Sequence, residues 1–360
     1  MNDGLIAGPK PGENEFYCGR LRRDLAMIHG NANVHPKRKL PRYGVARGRL
    51  TVVPHKTLSP AHVSESLAAA GFRCPPSDVQ IEAREERWLV RVPGQRLAWF
   101  AASSSGLQRL RAERRVLRLL EVRCSFGAPR VLFESRDEEF DIRTMVPGTS
   151  NPWAVYAEAR DDSRRAIQLG TAIGAILAEQ HSRISASDVS EWLPATPAWP
   201  EPRDWISERL PSVVDDADLI ARASHVMEAY ESVSLEEIDR ALVHTDVGFH
   251  NLGIDPKSFA VHGIFDYDGA AWADRHHDFR YLVSALDRYE MLDAATSVYE
   301  AVVGCSIRRD RVLLYNAACA ISYLAYRAGT EPEERSCGRT LAEDLQWSKH
   351  AIAKALALPV

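Results

Sequence analysis

The sequence has no pair of cysteines spaced to hold a metal. Its six cysteines, Cys18, Cys74, Cys124, Cys305, Cys319 and Cys337, are scattered over 360 residues without a Cys-x-x-Cys step. That scatter argues against a zinc site and predicts free thiols in a reducing, cytoplasmic setting. No apolar run approaches the roughly 20 residues that a membrane helix needs. Residues 1–10 lack the apolar core of a signal peptide. A large excess of one charge is also missing. The net charge is −4, which leaves no general electrostatic footprint for nucleic acid. The expectation is a chain with neither a nucleic-acid nor a membrane partner. No internal repeat is detectable, so a solenoid is not expected.

With 45% hydrophobic and 26% charged residues over 360 positions, the chain reads as a soluble globular protein of two or more units. Residues 1–55 hold clustered basic side chains among Gly, Pro and Asn, with one short strand possible at Arg49–Val53. They read as a flexible N-terminal extension. Ser59-Pro60 is a cap and first-turn pair, and Val63, Leu67 and Ala70 share one face up to Gly71, so a helix is predicted there. Strands are predicted at Val79–Ala83, Trp88–Val92 and Leu97–Ala101, with Pro93-Gly94 as the second turn. A helix from about Gly106 to Glu121 carries Leu110, Leu117 and Leu120 as its apolar stripe. Glu113 lies three residues after Leu110, on that same face, where a carboxylate needs a cation or strong hydrogen bonds. Val131–Phe133 and Ile142–Val146 read as two further strands, the second ended by Pro147-Gly148. Beyond them the chain is helical. One stripe runs through Leu169, Ile173, Ile176 and Leu177 to His181. Another runs through Leu314, Ala317, Ile321 and Leu324 to Gly329. The Trp and Pro cluster from Trp192 to Trp205 is a long connection that serves either packing or a substrate wall.

The run His244-Thr245-Asp246-Val247-Gly248-Phe249-His250-Asn251, with Asp266 fifteen positions after Asn251, carries the chemistry. One carboxylate can accept a proton from a hydroxyl. An amide and a second carboxylate can hold a metal against a nucleotide's phosphates. The apolar runs Ala241–Val243 and Val261–Phe265 predict two short strands that bring the acids to one edge of a cleft. Asp246 is the expected base, Asn251 and Asp266 the expected magnesium ligands, and Asp268 a further acid for the metal shell or a substrate amine. His250, His276 and His277 look like metal donors but are expected to be supporting or solvated groups.

His244-x-Asp246-x4-Asn251, then Gly263-Ile264-Phe265-Asp266-Tyr267-Asp268, then Ala273-Asp274-Arg275-His276-His277-Asp278 resemble the aminoglycoside phosphotransferase and choline kinase superfamily in order and spacing. The resemblance runs from about Leu58 to the C-terminus and is strongest after Val243. It implies an α+β, protein-kinase-like fold with an antiparallel N-lobe over residues 56–148 and a mainly helical C-lobe over 149–360. It implies an enzyme that transfers a phosphoryl group from ATP (or GTP), with Mg2+, to a hydroxyl of a small molecule such as an aminoglycoside, amino sugar or amino alcohol. It further implies that Met145 and Val146 lie at the hinge that meets the adenine, that Glu113 pairs with a strand cation, that His244 anchors the loop, and that Asp278 caps the next helix and bonds the loop.

Two departures stand out. Ser77–Arg87, where the nucleotide loop should lie, contains no glycine, so backbone amides approach phosphates less closely there. The strand lysine is also missing: Trp99 or Phe100 stands in its place, or Arg91 substitutes for it if the second strand takes that role. The alternative reading is therefore a catalytically impaired kinase-like binding protein. A third reading is a metal phosphohydrolase built on His277-Asp278, His244, Asp246 and Asp266. That class is nearly all-helical, and the strand pattern opposes it.

Overall fold

Ser59 and Pro60 begin the first helix as their chemistry dictates. The Ser59 hydroxyl accepts from the backbone N–H of His62 at 3.2 Å, and α1 runs Pro60–Ala69 with Val63 and Leu67 buried. The computed structural model describes residues 58–84, 86–284, 288–331, 334–336 and 338–357. The expected extension at 1–55, with its strand at Arg49–Val53, lies outside them. The described residues fall into two compact units: 58–111 with 132–143, and 112–131 with 144–357.

The smaller unit is a five-stranded sheet with α1. Strands β1 (Ile81–Arg84), β2 (Arg87–Val92), β3 (Arg96–Ala101), β4 (Val131–Glu134) and β5 (Phe140–Thr144) are ordered β1-β2-β3-β5-β4. The β1–β2 and β2–β3 pairs are antiparallel, with Leu89 opposite Trp99 and Val90 opposite Ala98. Alternation along the strands separates two faces. One face packs Val90, Val92, Ala98, Phe100 and Ile142 with Val63 and Leu67, and Phe100 stacks on Phe140 at 4.8 Å between ring centres. The other face carries Arg87, Leu89, Arg91 and Trp99. The last predicted strand is shifted: β5 stops at Thr144, whose N–H bonds Arg130 O at 3.0 Å. Met145 and Val146 follow it outside the strand, half-buried.

Helix α2 (Ser104–Arg123) extends two residues beyond the predicted span at each end. Its buried face includes Leu110, Glu113, Leu117 and Leu120, as the three- and four-residue spacing requires.

The larger unit is helical, with two short ribbons. Helices α3 (Trp153–Asp161), α4 (Ser163–Arg183), α5 (Ala186–Val189), α6 (Arg203–Arg209) and α7 (Ala217–Glu231) precede the ribbons. The first ribbon pairs β6 (Arg240–Val243) with β9 (Ala271–Asp274), and the second pairs β7 (Leu252–Ile254) with β8 (Val261–Ile264). Helices α8 (Tyr281–Ser284), α9 (Tyr289–Val303), α10 (Arg309–Tyr326) and α11 (Leu341–Leu356) follow. Both apolar stripes seen in the sequence are core. Leu169, Ile173 and Leu177 of α4 pack with Met291, Leu292 and Ala295 of α9. Gly170 and Gly174 make that contact possible: a Cβ on them would stand 2.2 Å from Met291 O and 2.3 Å from Ala295 O. Leu314, Ala317, Ile321 and Leu324 line α10 toward α7 and α11. The Trp192–Trp205 connection is tied to α10, where Glu201 N–H bonds Ser322 Oγ at 2.9 Å and Trp199 lies edge-on to Tyr326.

Candidate active site

Asp246 sits in the loop that leaves β6, and the loop is held from below by one carboxylate. Asp278 accepts the N–H of His244 at 2.9 Å, the N–H of Thr245 at 2.8 Å and Nε2–H of His181 at 3.0 Å. Thr245 has a left-handed φ of 73°, costly for a β-branched residue. Its N–H is taken by Asp278 and its hydroxyl donates to Gly269 O at 2.8 Å, so both ends of the residue are pinned. Asp278 was expected to cap the following helix. That part is corrected: it lies inside the 3-10 turn Arg275–Phe279, whose cap is Asp274, accepting from His276 N–H. The side chain of Asp278 is fully buried and spent on the loop. Burial opposes its ionisation, but the hydrogen bonds it accepts from His181 and from the His244 backbone hold its carboxyl below the usual range.

A relay backs this carboxylate. Arg275 Nη1 donates to Tyr299 OH at 2.9 Å, and Tyr299 OH lies 3.0 Å from His181 Nδ1. With Nε2–H committed to Asp278, Nδ1 must accept from the phenol. Burial pushes the His181 pKa down, which agrees with a neutral ring.

The strands before Asp246 and Asp266 belong to separate ribbons. Two contacts bring the acids together instead: Phe265 N–H bonds Asn251 O at 3.0 Å, and His244 Nε2 bonds Phe265 O at 2.8 Å. His244 Nδ1 accepts Asp246 N–H at 3.2 Å. Both ring nitrogens of His244 are therefore used, and it anchors the loop. Asn251 donates Nδ2–H to Asp246 O at 2.9 Å and to Asp246 Oδ2 at 3.1 Å. Its carbonyl Oδ1 is thus the atom left to meet a cation. Asp266 is exposed and left-handed, with φ 70°, a conformation Asp tolerates. Asp268 follows in the turn Tyr267–Gly269, half-buried.

Enclosure in the loop opposes ionisation of Asp246, but His250, Arg280 and His244 outweigh it and hold the carboxyl below the usual range. The group therefore stands as a carboxylate over the physiological range. Arg280 is buried over the Tyr281 ring at 4.5 Å. Neither Arg280 nor the contact of His250 with Asp246 was singled out from the sequence; the adjacency of His250 to Asn251 was the only available signal.

Among the described residues, no three or more His, Cys, Asp or Glu side chains form a metal-holding group. The phosphohydrolase reading fails on the same geometry: Asp278 is spent on three donors, and His277 stacks on Tyr315 at 4.3 Å between ring centres. One amide oxygen and one carboxylate do suit magnesium, which takes few protein ligands and keeps water and phosphate oxygens.

Arg91, the substitute cation if the second strand takes the lysine's role, is exposed near the hairpin end of β2. The buried cations on that sheet face are Arg87, stacked over Trp99 at 4.7 Å, and Arg143, paired to Asp141 through Nε at 2.6 Å and Nη2 at 3.0 Å. Strand alternation puts 87 and 91 on one face but does not say which is covered. Trp99, not Phe100, shares that face. The sequence has no lysine between Lys56 and Lys257, so every strand cation here is an arginine. Glu113 is 3% exposed.

His277 gives a stability prediction. Burial, with Arg280 nearby, pushes its pKa down to about 3 from 6.5. The unfolded chain binds the proton first, so stability is full above pH 6.5 and falls as pH drops toward 3. His277→Phe is expected to remove about 1.4 kcal/mol per pH unit from the acid-side slope between pH 6 and 4.5. Denaturant melts at several pH values check this; equal slopes would refute it.

A small stranded unit followed by a helical unit carrying an Asp–Asn loop defines a two-lobed, protein-kinase-like fold. The sequence profile of the phosphotransferase enzyme family (APH) matches residues 77–302. The chain belongs to that family and is a phosphotransferase acting on a hydroxyl group of a small molecule. Solved structures agree in fold. The GDP complex of wild-type aminoglycoside 2'-phosphotransferase-IIIa is 17% identical, covering 82% of this chain and 99% of its own, with a TM-score of 0.57. The macrolide 2'-phosphotransferase apoenzyme from Brachybacterium faecium is 15% identical, covering 76% and 99%, with a TM-score of 0.54. An ADP-bound aminoglycoside phosphotransferase, APH(2'')-Ib, is 15% identical, covering 81% and 95%, with a TM-score of 0.52. No curated protein matches. Among the described residues, no helix is long and apolar enough to cross a membrane.

Proposed function

We propose that this enzyme transfers the γ-phosphoryl group of ATP or GTP to a hydroxyl of an aminoglycoside-like compound, amino sugar or amino alcohol. The observation that carries the reading is the Asp246–Asn251 contact on a loop pinned by Asp278. It places a carboxylate and an amide oxygen side by side on a rigid support. Asp246 orients the acceptor hydroxyl and takes its proton. A carboxylate held below the usual range is a weak base, but phosphoryl transfer passes through a loose transition state that needs little push. Asn251 Oδ1 and Asp266 would hold magnesium, with Asp268 beside them. When bound, the metal would neutralise charge on the transferring phosphate. The main chain at Met145 and Val146 would meet the nucleotide base. Glu113 would act with a strand arginine; Arg87 and Arg143 are buried on that sheet and Arg91 is exposed. The solved complexes of similar proteins with GDP and ADP support nucleotide use.

The test is nucleoside diphosphate release from Mg-ATP and Mg-GTP against a panel of aminoglycosides, including kanamycin, with a macrolide and simple amino alcohols. Acceptor-dependent release with at least one compound is expected. Asp266→Ala should abolish magnesium-dependent nucleotide binding in a calorimetric titration with only a small fall in melting temperature, because Asp266 is exposed while alanine tolerates its left-handed backbone less well. A protein that binds neither nucleotide at any magnesium concentration would refute the reading.

A further inference from the structure

The loop that carries Asp246 is shaped around the imidazole of His250. Nε2 of His250 lies 3.1 Å from Asp246 Oδ2. A carboxylate only accepts, so Nε2 carries the proton and donates. The same oxygen receives Nδ2–H of Asn251 at 3.1 Å. Two donors thus converge on Oδ2, while 43% of the Asp246 side chain stays exposed. The ring of His250 is set edge-on to Tyr281, 6.3 Å between centres at 78°.

Gly248 provides a second, independent observation. Its φ is −99°, so no backbone strain demands glycine there. Space does: a Cβ at 248 would stand 2.4 Å from Cε1 and 2.7 Å from Nδ1 of His250. Both distances are far inside contact, and both atoms belong to the imidazole. The turn therefore leaves out one methyl group where the ring folds back toward Asp246.

We propose that His250, seated by Gly248, is a positioning residue for the transfer reaction: with Asn251 it holds Oδ2 of Asp246 and so presents Oδ1 to the acceptor hydroxyl. The proposal rests on the reading of Asp246 as the base. In an Asp without this clamp, the carboxylate rotates about its last bond and either oxygen faces the acceptor. With it, one oxygen is committed and the other has a fixed direction. The benefit is geometric, since misplacing a reacting group by about 1 Å can cost roughly 10²-fold. Binding of nucleotide or acceptor does not depend on it.

The experiment uses the full chain with Mg-ATP and Mg-GTP, kanamycin as acceptor probe, and water as the acceptor in its absence. His250→Ala and Gly248→Ala are each expected to lower kcat by roughly 10- to 100-fold, with KM for nucleotide and the melting temperature unchanged. Gly248→Ala acts by displacing an intact imidazole, so the double variant should be no slower than His250→Ala alone. His250→Gln keeps an amide donor near the position of Nε2 and should recover most of the loss. Nitrogen-edited NMR of the nucleotide-free protein reads the clamp directly. The wild-type ring should show a slowly exchanging proton on Nε2, kept in Asp246→Asn, whose amide oxygen still accepts it, and lost in Gly248→Ala and in Asp246→Ala. A freely exchanging ring proton in the wild type overturns the proposal whether or not kanamycin is an acceptor. So do an unchanged kcat in His250→Ala beside an inactive Asp246→Asn, or losses that multiply in the double variant. Full turnover in Asp246→Asn instead removes the base assignment on which the clamp rests.

Discussion

Asp246→Asn is expected to lower turnover by roughly 10²–10⁴-fold while leaving nucleotide affinity nearly unchanged. The substitution suits the site. The amide oxygen can take the place of Oδ2 and accept from His250 Nε2 and Asn251 Nδ2, as the carboxylate does. The amide nitrogen then replaces Oδ1, the oxygen proposed to face the acceptor. Shape and loop anchoring survive; the ability to take a proton does not. The loss should fall on kcat rather than on KM, because the interaction removed matters in the transition state. Rapid-quench turnover with a calorimetric nucleotide titration separates the two. A variant with wild-type kcat shows that the proton leaves by another route.

Asp278→Ala is expected to be the most damaging substitution far from substrate. Three buried donors lose their acceptor: His244 N–H, Thr245 N–H and His181 Nε2–H. Each unsatisfied buried donor costs about 1–3 kcal/mol. Even the low end amounts to about 3 kcal/mol, a fall in melting temperature on the order of 10 °C. The left-handed Thr245 also loses half of what pins it, so Asp246 moves and turnover falls with stability. Tyr299→Phe, one step back along the relay, takes away the donor to His181 Nδ1 and the acceptor for Arg275, and should show the same pattern more weakly. Calorimetry and turnover on these two variants check the order. An Asp278→Ala protein with wild-type melting and activity would mean that the loop supports itself.

The elements were legible where the signal was local. Ser59-Pro60 caps α1, and the three- and four-residue spacing of Leu110, Leu117 and Leu120 puts Glu113 inside. The stripes of α4 and α10 became core because helix periodicity leaves no other face to bury. The end of β5 was misplaced because Val146 is as strand-like as Ile142. The sheet stops at Thr144, where contacts with Arg130 close the pair, and a pairing partner does not show in a strand's own composition.

The family was legible in residue order. An acid, an amide and a second acid at these spacings, on loops bounded by short apolar runs, resemble the phosphotransferase family, and the family profile matches residues 77–302. Only the tertiary structure decided how they are aimed. It turned Asp278 from an expected cap into the acceptor for three donors, from residues up to 97 positions away. It covered Arg87 and left Arg91 exposed. It put His250 and Asn251 on one oxygen of Asp246. Each of these outcomes depends on which distant segment covers a side chain, and the chain acquires that burial only when strands, turns and helices far apart in sequence pack together.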